Sequence, residues 1–164
     1  MTGKVDYMDN AGLNAHPHCT SDQGRNRDAD AQRTEWDGLL HHARTMRQRA
    51  YAPYSRFQVG AAALTDDGRL IGGCNVENAG YGVTLCAECG LISDLIAGGG
   101  GKLTAFVCVG ANENHDGPAP IVMPCGRCRQ LLSEHSAPSL VVLTPKGERT
   151  MAEVLPEAFG PDSL

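Results

Sequence analysis

The chain has 164 residues, a formal net charge of −5 and 41% hydrophobic side chains, enough for one domain with a sizeable core. No basic block exceeds a few residues, so the positive footprint of a duplex-binding surface is missing, and a small ligand or a protein is the expected partner rather than nucleic acid. The longest apolar runs fall far short of the roughly 20 residues of a membrane helix and the N-terminus has no signal-peptide core, so the expected location is the cytoplasm.

Residues 1–33 are polar, mix Gly, Pro, Asn and Asp throughout, and carry no sustained apolar period, which predicts a poorly ordered leader. His16, His18 and Cys19 read there as incidental surface residues, although metal binding is open to them in principle. The folded domain is expected over residues 34–164. Thr34 is placed to cap a helix from Glu35 to about Ala50, in which Trp36, Leu39, Leu40, Ala43, Met46 and Arg47 recur at helical spacing. Pro53 disfavours a helical conformation at Ala52 and ends the run. The stretches "QVGAAALT" and "RLIGGCNVE" flank "DDG", a hairpin signal, and a glycine-rich turn follows at "NAGYG".

Residues from about Cys86 to Ala97 read as a helix stopped by four glycines, and "LTAFVCVG" as a nearly all-apolar strand suited to the middle of a sheet. After a loop over 112–120, a second helix is expected from about Cys125 to His135. The strand "SLVVLT", the turn "PKGE", a short helix near Met151–Leu155 and an irregular tail complete the chain. Strands linked through helices need cover on both faces. The expected fold is therefore α/β, a three-layer α/β/α sandwich around a mixed sheet.

There are seven cysteines, at 19, 74, 86, 89, 108, 125 and 128. An odd number with no export signal points to metal or catalytic use rather than a disulfide framework. "CAEC" (86–89) and "PCGRC" (124–128) both fall at expected helix starts, where unpaired backbone N–H groups and the positive dipole end favour thiolates. Cys86, Cys125 and Cys128 can then share one zinc. Three thiolates suit a structural or a catalytic zinc equally, and "CGRC" alone also allows a redox dithiol. Glu88 favours the catalytic reading: two residues past Cys86, its carboxylate is near the metal without pointing along the ligand's own direction.

Cys86-Ala-Glu88 followed by Pro124-Cys125-Gly-Arg-Cys128 matches the signature of zinc nucleoside and nucleobase deaminases. Further, "AYAPYSRFQVGAAA" (50–63), "GGCNVEN" (72–78), "AGYGVTLCAEC" (79–89), residues 123–132 and "VLPEAFG" resemble the cytidine deaminase family over roughly residues 35–160. The three-cysteine set resembles its small homotetrameric branch, and "TLCAEC" with "MPCGRCRQLL" is most like actinobacterial members. Blasticidin S deaminases share part of the pattern, so another cytosine nucleoside is the second substrate reading. A structural-zinc module, which needs a fourth protein ligand, is the non-enzyme one.

The resemblance implies one Zn²⁺ per subunit of a homotetramer and hydrolytic deamination of cytidine and 2′-deoxycytidine to the uridines, with release of ammonia, in pyrimidine salvage. Glu88 would carry a proton from water to ring N3 and then one to the leaving amino group. By the same resemblance Asn75 and Glu77 bind the ribose, Glu77 at its 3′-hydroxyl, and Phe57 packs beside the nucleoside. Backbone groups around Ala87 hold the pyrimidine, Phe159 of a neighbouring subunit covers it, and Tyr81 lies near a subunit boundary. One position departs from the family: many tetrameric relatives carry an arginine after the catalytic glutamate, bonded to the ligand sulfurs, and here Cys89 stands there. Three thiolates on Zn²⁺ leave a formal charge of −1, which opposes acidification of water. Arg129, or else Arg127, is expected to offset it. Cys89 as a fourth ligand would instead close the site.

Overall fold

The computed structural model describes the backbone of residues 22–164 and the side chains from Glu35 onward. Residues 1–21 of the expected leader, with His16, His18 and Cys19, lie outside the described residues.

Helix α1 spans Asp22–Arg47, beginning before the expected cap Thr34 and ending short of Ala50. The apolar period starts only at Trp36, so it could not mark the earlier start; extending a helix already formed needs backbone hydrogen bonds and no packed face. The hairpin follows as expected, with β1 (Phe57–Thr65) and β2 (Leu70–Cys74) paired antiparallel around a turn in which Gly68 adopts φ +84°. Helix α2 (Ala87–Ala97), β3 (Leu103–Asn112), α3 (Gly126–His135), β4 (Ser136–Thr144), β5 (Gly147–Thr150) and α4 (Met151–Val154) complete the order. Strand β5 corrects the expected "PKGE" turn: Gly147 and Glu148 already pair with Thr144 and Leu143. All four β5 residues are exposed at the sheet edge, so no apolar alternation marks them.

The sheet order is β2-β1-β3-β4-β5, with β3 and β4 parallel and the other pairs antiparallel, the expected mixed sheet. Period-2 alternation sorts the side chains into two cores. Ala62, Ala105, Val107 and Val109 face Leu39 and Ala43 of α1. Ala61, Ala63, Phe106 and Cys108 face Ala87, Leu91, Ile92 and Leu95 of α2 and Leu132 of α3. Helices thus cover both faces of the sheet.

Two glycines set how closely these layers approach. A Cβ on Gly60 would lie 2.0 Å from the Ala43 carbonyl oxygen, so α1 rests directly on the β1 backbone. A Cβ on Gly73 would lie 2.2 Å from the Ala87 carbonyl oxygen and 2.4 Å from the Leu91 nitrogen, so the first turns of α2 rest on β2 in the same way.

Strands β2 and β3 run in the same direction, one on each side of antiparallel β1. The helices that follow them, α2 and α3, therefore start at the same edge of the sheet and on the same face. That edge is where chain reversal leaves a crevice in α/β sheets. No helix among the described residues is long and apolar enough to cross a membrane.

Candidate metal and active site

Cys86 and Cys125 are the N-cap residues of α2 and α3, both extended (ψ 159° and 169°), and Cys128 lies in the first turn of α3. Neither N-cap makes a side-chain capping bond, so both sulfurs are left for another role. The sulfurs of Cys86, Cys125 and Cys128 all lie within 4.8 Å of one another. A tetrahedral zinc with Zn–S bonds of about 2.3 Å holds its sulfurs about 3.8 Å apart, so the cluster fits that ion with sub-ångström adjustment. Among the described residues no fourth donor joins the group. Cys89, whose N–H donates to the Cys86 carbonyl at 3.0 Å, stays outside it, which leaves one tetrahedral position open.

Burial pushes the Cys86 thiol up, and it pushes the Cys128 thiol further, with the Glu88 carboxylate adding to the effect. At Cys125 burial also acts upward, but the backbone N–H of Cys128, the thiols of Cys128 and Cys86 and the N–H of Arg127 outweigh it, and the thiol falls below its ordinary value. This is the helix N-terminus acting on sulfur as expected. Cys125 is exposed and Cys128 fully buried, so the cluster opens on the Cys125 side.

Glu88, 3% exposed, occupies the first turn of α2 beside the Cys128 and Cys108 thiols and outside the sulfur triangle. Its placement leaves the three sulfurs as the metal-ligating group, with the carboxylate beside them. Cys108, on β3, is buried, packs beside Glu88 and donates its S–H to the Val122 carbonyl at 2.9 Å. The Val122 N–H in turn donates to the Cys108 carbonyl, so the segment entering α3 is fastened to β3. Only the strand's alternation, which puts Phe106 and Cys108 on the α2/α3 side, hinted at this.

Asn75 and Glu77, the residues expected at the ribose, lie on the extension of β2. Asn75, 9% exposed, accepts from the Val59 N–H at 2.8 Å and donates to the Phe57 carbonyl at 3.0 Å, clamping the start of β1. The Phe57 ring covers Gly110 of β3, where a Cβ would meet it at 2.8 Å. Glu77 accepts from the N–H groups of Tyr54 (2.9 Å) and Ser55 (3.2 Å) and from the Ser55 hydroxyl. The Ser55 hydroxyl, foremost, with the two N–H groups holds its carboxyl below the ordinary glutamate value. A cleft of about 340 Å³ opens here, lined by Tyr54, Ser55, Glu77, Asn78, Tyr81 and Thr84. Between Asn75 and Glu77, Val76 exchanges backbone hydrogen bonds with Leu85, both 2.9 Å, while the carbonyl of Asn75 and the N–H of Glu77 bond to Tyr51.

Ala87 is fully buried in the core at the start of α2. Arg129 sends Nε to the Pro124 carbonyl (2.8 Å) and Nη1 to that of Val154 (3.4 Å), acting on the backbone that precedes Cys125. The Arg127 side chain is exposed, and its backbone N–H serves Cys125. Tyr81 is 82% exposed and Phe159 61% exposed, so within one chain neither closes over the cysteine cluster. The Phe159 carbonyl accepts from Gln130 Nε2 at 2.8 Å, holding that stretch of the tail against α3.

A family model described as the cytidine and deoxycytidylate deaminase zinc-binding region matches residues 34–144. The chain is 50% identical to the cytidine deaminase of Mycobacterium tuberculosis over 130 residues, covering 79% of this chain and 93% of that protein. The crystal structure of cytidine deaminase from Mycobacterium leprae superposes with a TM-score of 0.69 at 55% identity, over 74% of this chain and 98% of that one. That of the M. tuberculosis enzyme superposes with a TM-score of 0.70 at 50% identity, over 76% and 97%. Cys86, Cys125 and Cys128 are the zinc site of this fold, and the chain belongs to the cytidine deaminase family.

Proposed function

We propose that this protein is a zinc-dependent hydrolase that deaminates cytidine and 2′-deoxycytidine to uridine and 2′-deoxyuridine, releasing ammonia in pyrimidine salvage. The observation that carries the reading is Glu88, buried against the three-thiolate cluster yet outside it, in a chain half identical to a cytidine deaminase. Zinc held by Cys86, Cys125 and Cys128 supplies the Lewis acidity that makes water nucleophilic at neutral pH. Glu88 takes one proton of the attacking water and gives it to ring N3, which leaves C4 electron-poor, and later passes the proton remaining on the added oxygen to the departing amino group. Backbone N–H groups around Ala87, in the first turn of α2, hold the pyrimidine.

Glu77 accepts the ribose 3′-hydroxyl, and Asn75 uses the amide hydrogen and lone pair left over from its clamp on β1. Phe57 packs beside the nucleoside. Arg129 holds the Pro124–Cys125 turn, and with the helix N-termini it takes the part that an arginine at the Cys89 position plays in relatives. Residues 34–164 form the catalytic unit, consistent with a family match that begins at residue 34, and residues 1–33 are a leader outside it. The unit works in the cytoplasm, where thiols stay reduced, as a homotetramer. Supporting assembly, Tyr51, Tyr54, Val76, Tyr81, Val83 and Leu85 are all exposed along one rim, and Phe159 lies exposed in the tail. Phe159 of one subunit then covers the pyrimidine of its neighbour, with Tyr81 near that boundary.

The test compares ammonia release from cytidine by wild type and Glu88→Gln at matched zinc content. Loss of a proton carrier is expected to lower kcat by about 10²–10⁴-fold with zinc retained. A zinc-loaded wild-type assembly that turns over no cytosine nucleoside would overturn the reading.

A further inference from the structure

The carboxylate of Glu77 is held by neutral donors alone, and they are unequally placed. The N–H groups of Tyr54 and Ser55 both fall on Oε2, and the Ser55 hydroxyl falls on Oε1. Each carboxylate oxygen offers about two acceptor positions, so Oε2 is filled and one position remains, on Oε1. The same hydroxyl accepts from the Phe57 N–H at 3.0 Å. With that lone pair occupied, the single hydroxyl proton of Ser55 has a fixed direction, towards Glu77. Its backbone is fixed as well. Arg56, which follows, sits at φ +57° and donates its N–H to the Ala52 carbonyl at 3.0 Å, closing the turn that carries Ser55.

We propose that Ser55 is a specificity-determining positioning residue: its hydroxyl aims the one open acceptor of Glu77 into the cleft, so that the site selects a nucleoside bearing a free 3′-hydroxyl. This rests on the reading of Glu77 as the ribose-binding carboxylate. Ser55 touches no reacting atom and acts through Glu77. Because Oε2 is saturated and, among the described residues, no cation shares the carboxylate, the site presents a single ionised acceptor to a single hydroxyl donor. A sugar without that donor leaves the second acceptor position of Oε1 unpaired, which costs affinity. Phe57 is tied to the same hydroxyl through its N–H, so the aromatic beside the base and the acceptor beside the sugar are set by one side chain.

The experiment measures kcat and KM for cytidine and 3′-deoxycytidine with wild type, Ser55→Ala, Ser55→Thr and Glu77→Gln, each at matched zinc content. Ser55→Ala is expected to raise KM for cytidine about 10-fold with kcat within about 3-fold, and to change 3′-deoxycytidine by less than about 3-fold, shrinking the preference between them. Ser55→Thr, which keeps the hydroxyl, restores the preference. Should Ser55→Ala fail to assemble with zinc, Ser55→Cys keeps the shape with a poorer donor and is expected to show the same selective loss. Equal losses on both substrates, or an unchanged preference, overturn the proposal, because a purely structural serine predicts just those results. If Glu77→Gln erases the preference while Ser55→Ala keeps it, the proposal alone falls. If Glu77→Gln keeps the preference, the ribose reading fails and the proposal with it.

Discussion

At the scale of single residues, the chain solves an electrostatic problem with backbone and carbonyl contacts. Three thiolates around a divalent ion repel one another. The N–H groups of Arg127 and Cys128 converge on Cys125, while Arg129 braces the Pro124 carbonyl immediately before it. Substituting Arg129→Gln removes charge-assisted hydrogen bonds of the kind worth about 1.5–3 kcal/mol and loosens the turn carrying Cys125. The expected outcome is zinc lost about 10-fold more readily to a chelator, with the fold retained by circular dichroism; unchanged zinc retention and rate would exclude this role for Arg129. The zinc ligands and Glu88 were legible in the sequence because their spacing is local: each half-site occupies four or five consecutive residues. Ser55 and Cys108 were not. Their partners are 22 and 14 positions away in the chain, and only the folded sheet brings them together.

At the scale of elements, the placement of α2 depends on the absence of a side chain under it. With Gly73 replaced by alanine, the new methyl group meets the Ala87 carbonyl and Leu91 nitrogen well inside contact distance, against backbone that cannot rotate away. Such overpacking costs typically 1–3 kcal/mol. Because Cys86 caps the same helix, the displacement also carries a zinc ligand. Gly73→Ala is therefore expected to lower the melting temperature and the zinc content together, measured by calorimetry and metal analysis. A melting-temperature drop with full zinc occupancy and full activity would separate the helix position from the site. The hairpin, α2, β3, α3 and β4 were readable from turn chemistry and apolar runs. Strand β5 was not, because an exposed edge strand is specified by hydrogen bonds to its neighbour rather than by pattern. Nor was the early start of α1, since the stretch before Trp36 has no apolar period from which to infer a helix.

At the scale of the whole molecule, the proposed homotetramer would finish a ligand site that Tyr81 and Phe159 leave open in one chain. Tyr81 and Phe159 point to no closure within the subunit, and the exposed aromatic and aliphatic side chains of residues 51–54, 76 and 81–85 form a rim that water solvates poorly. Light scattering is expected to give a mass about four times the 17.4 kDa of one chain. Phe159→Ala is expected to raise KM for cytidine several-fold while the assembly stays intact. A stable, fully active monomer would exclude completion of the site by a neighbour.

Val76 has a consequence for how the proposed site would tell a nucleoside from a free base. Its N–H and carbonyl are both spent on Leu85, next to the zinc ligand Cys86, while its neighbours Asn75 and Glu77 are bonded through Tyr51. On the proposed reading, the separation between the zinc cluster and the carboxylate that takes the sugar is thus written in main-chain hydrogen bonds, indifferent to which side chain stands at position 76. On that reading a ligand is gauged against a fixed length: one that reaches the zinc cluster but not Glu77 is too short, whatever its chemistry. Side-chain changes can retune what is recognised at either end, but only a change in chain length between Asn75 and Cys86 can alter the distance being measured.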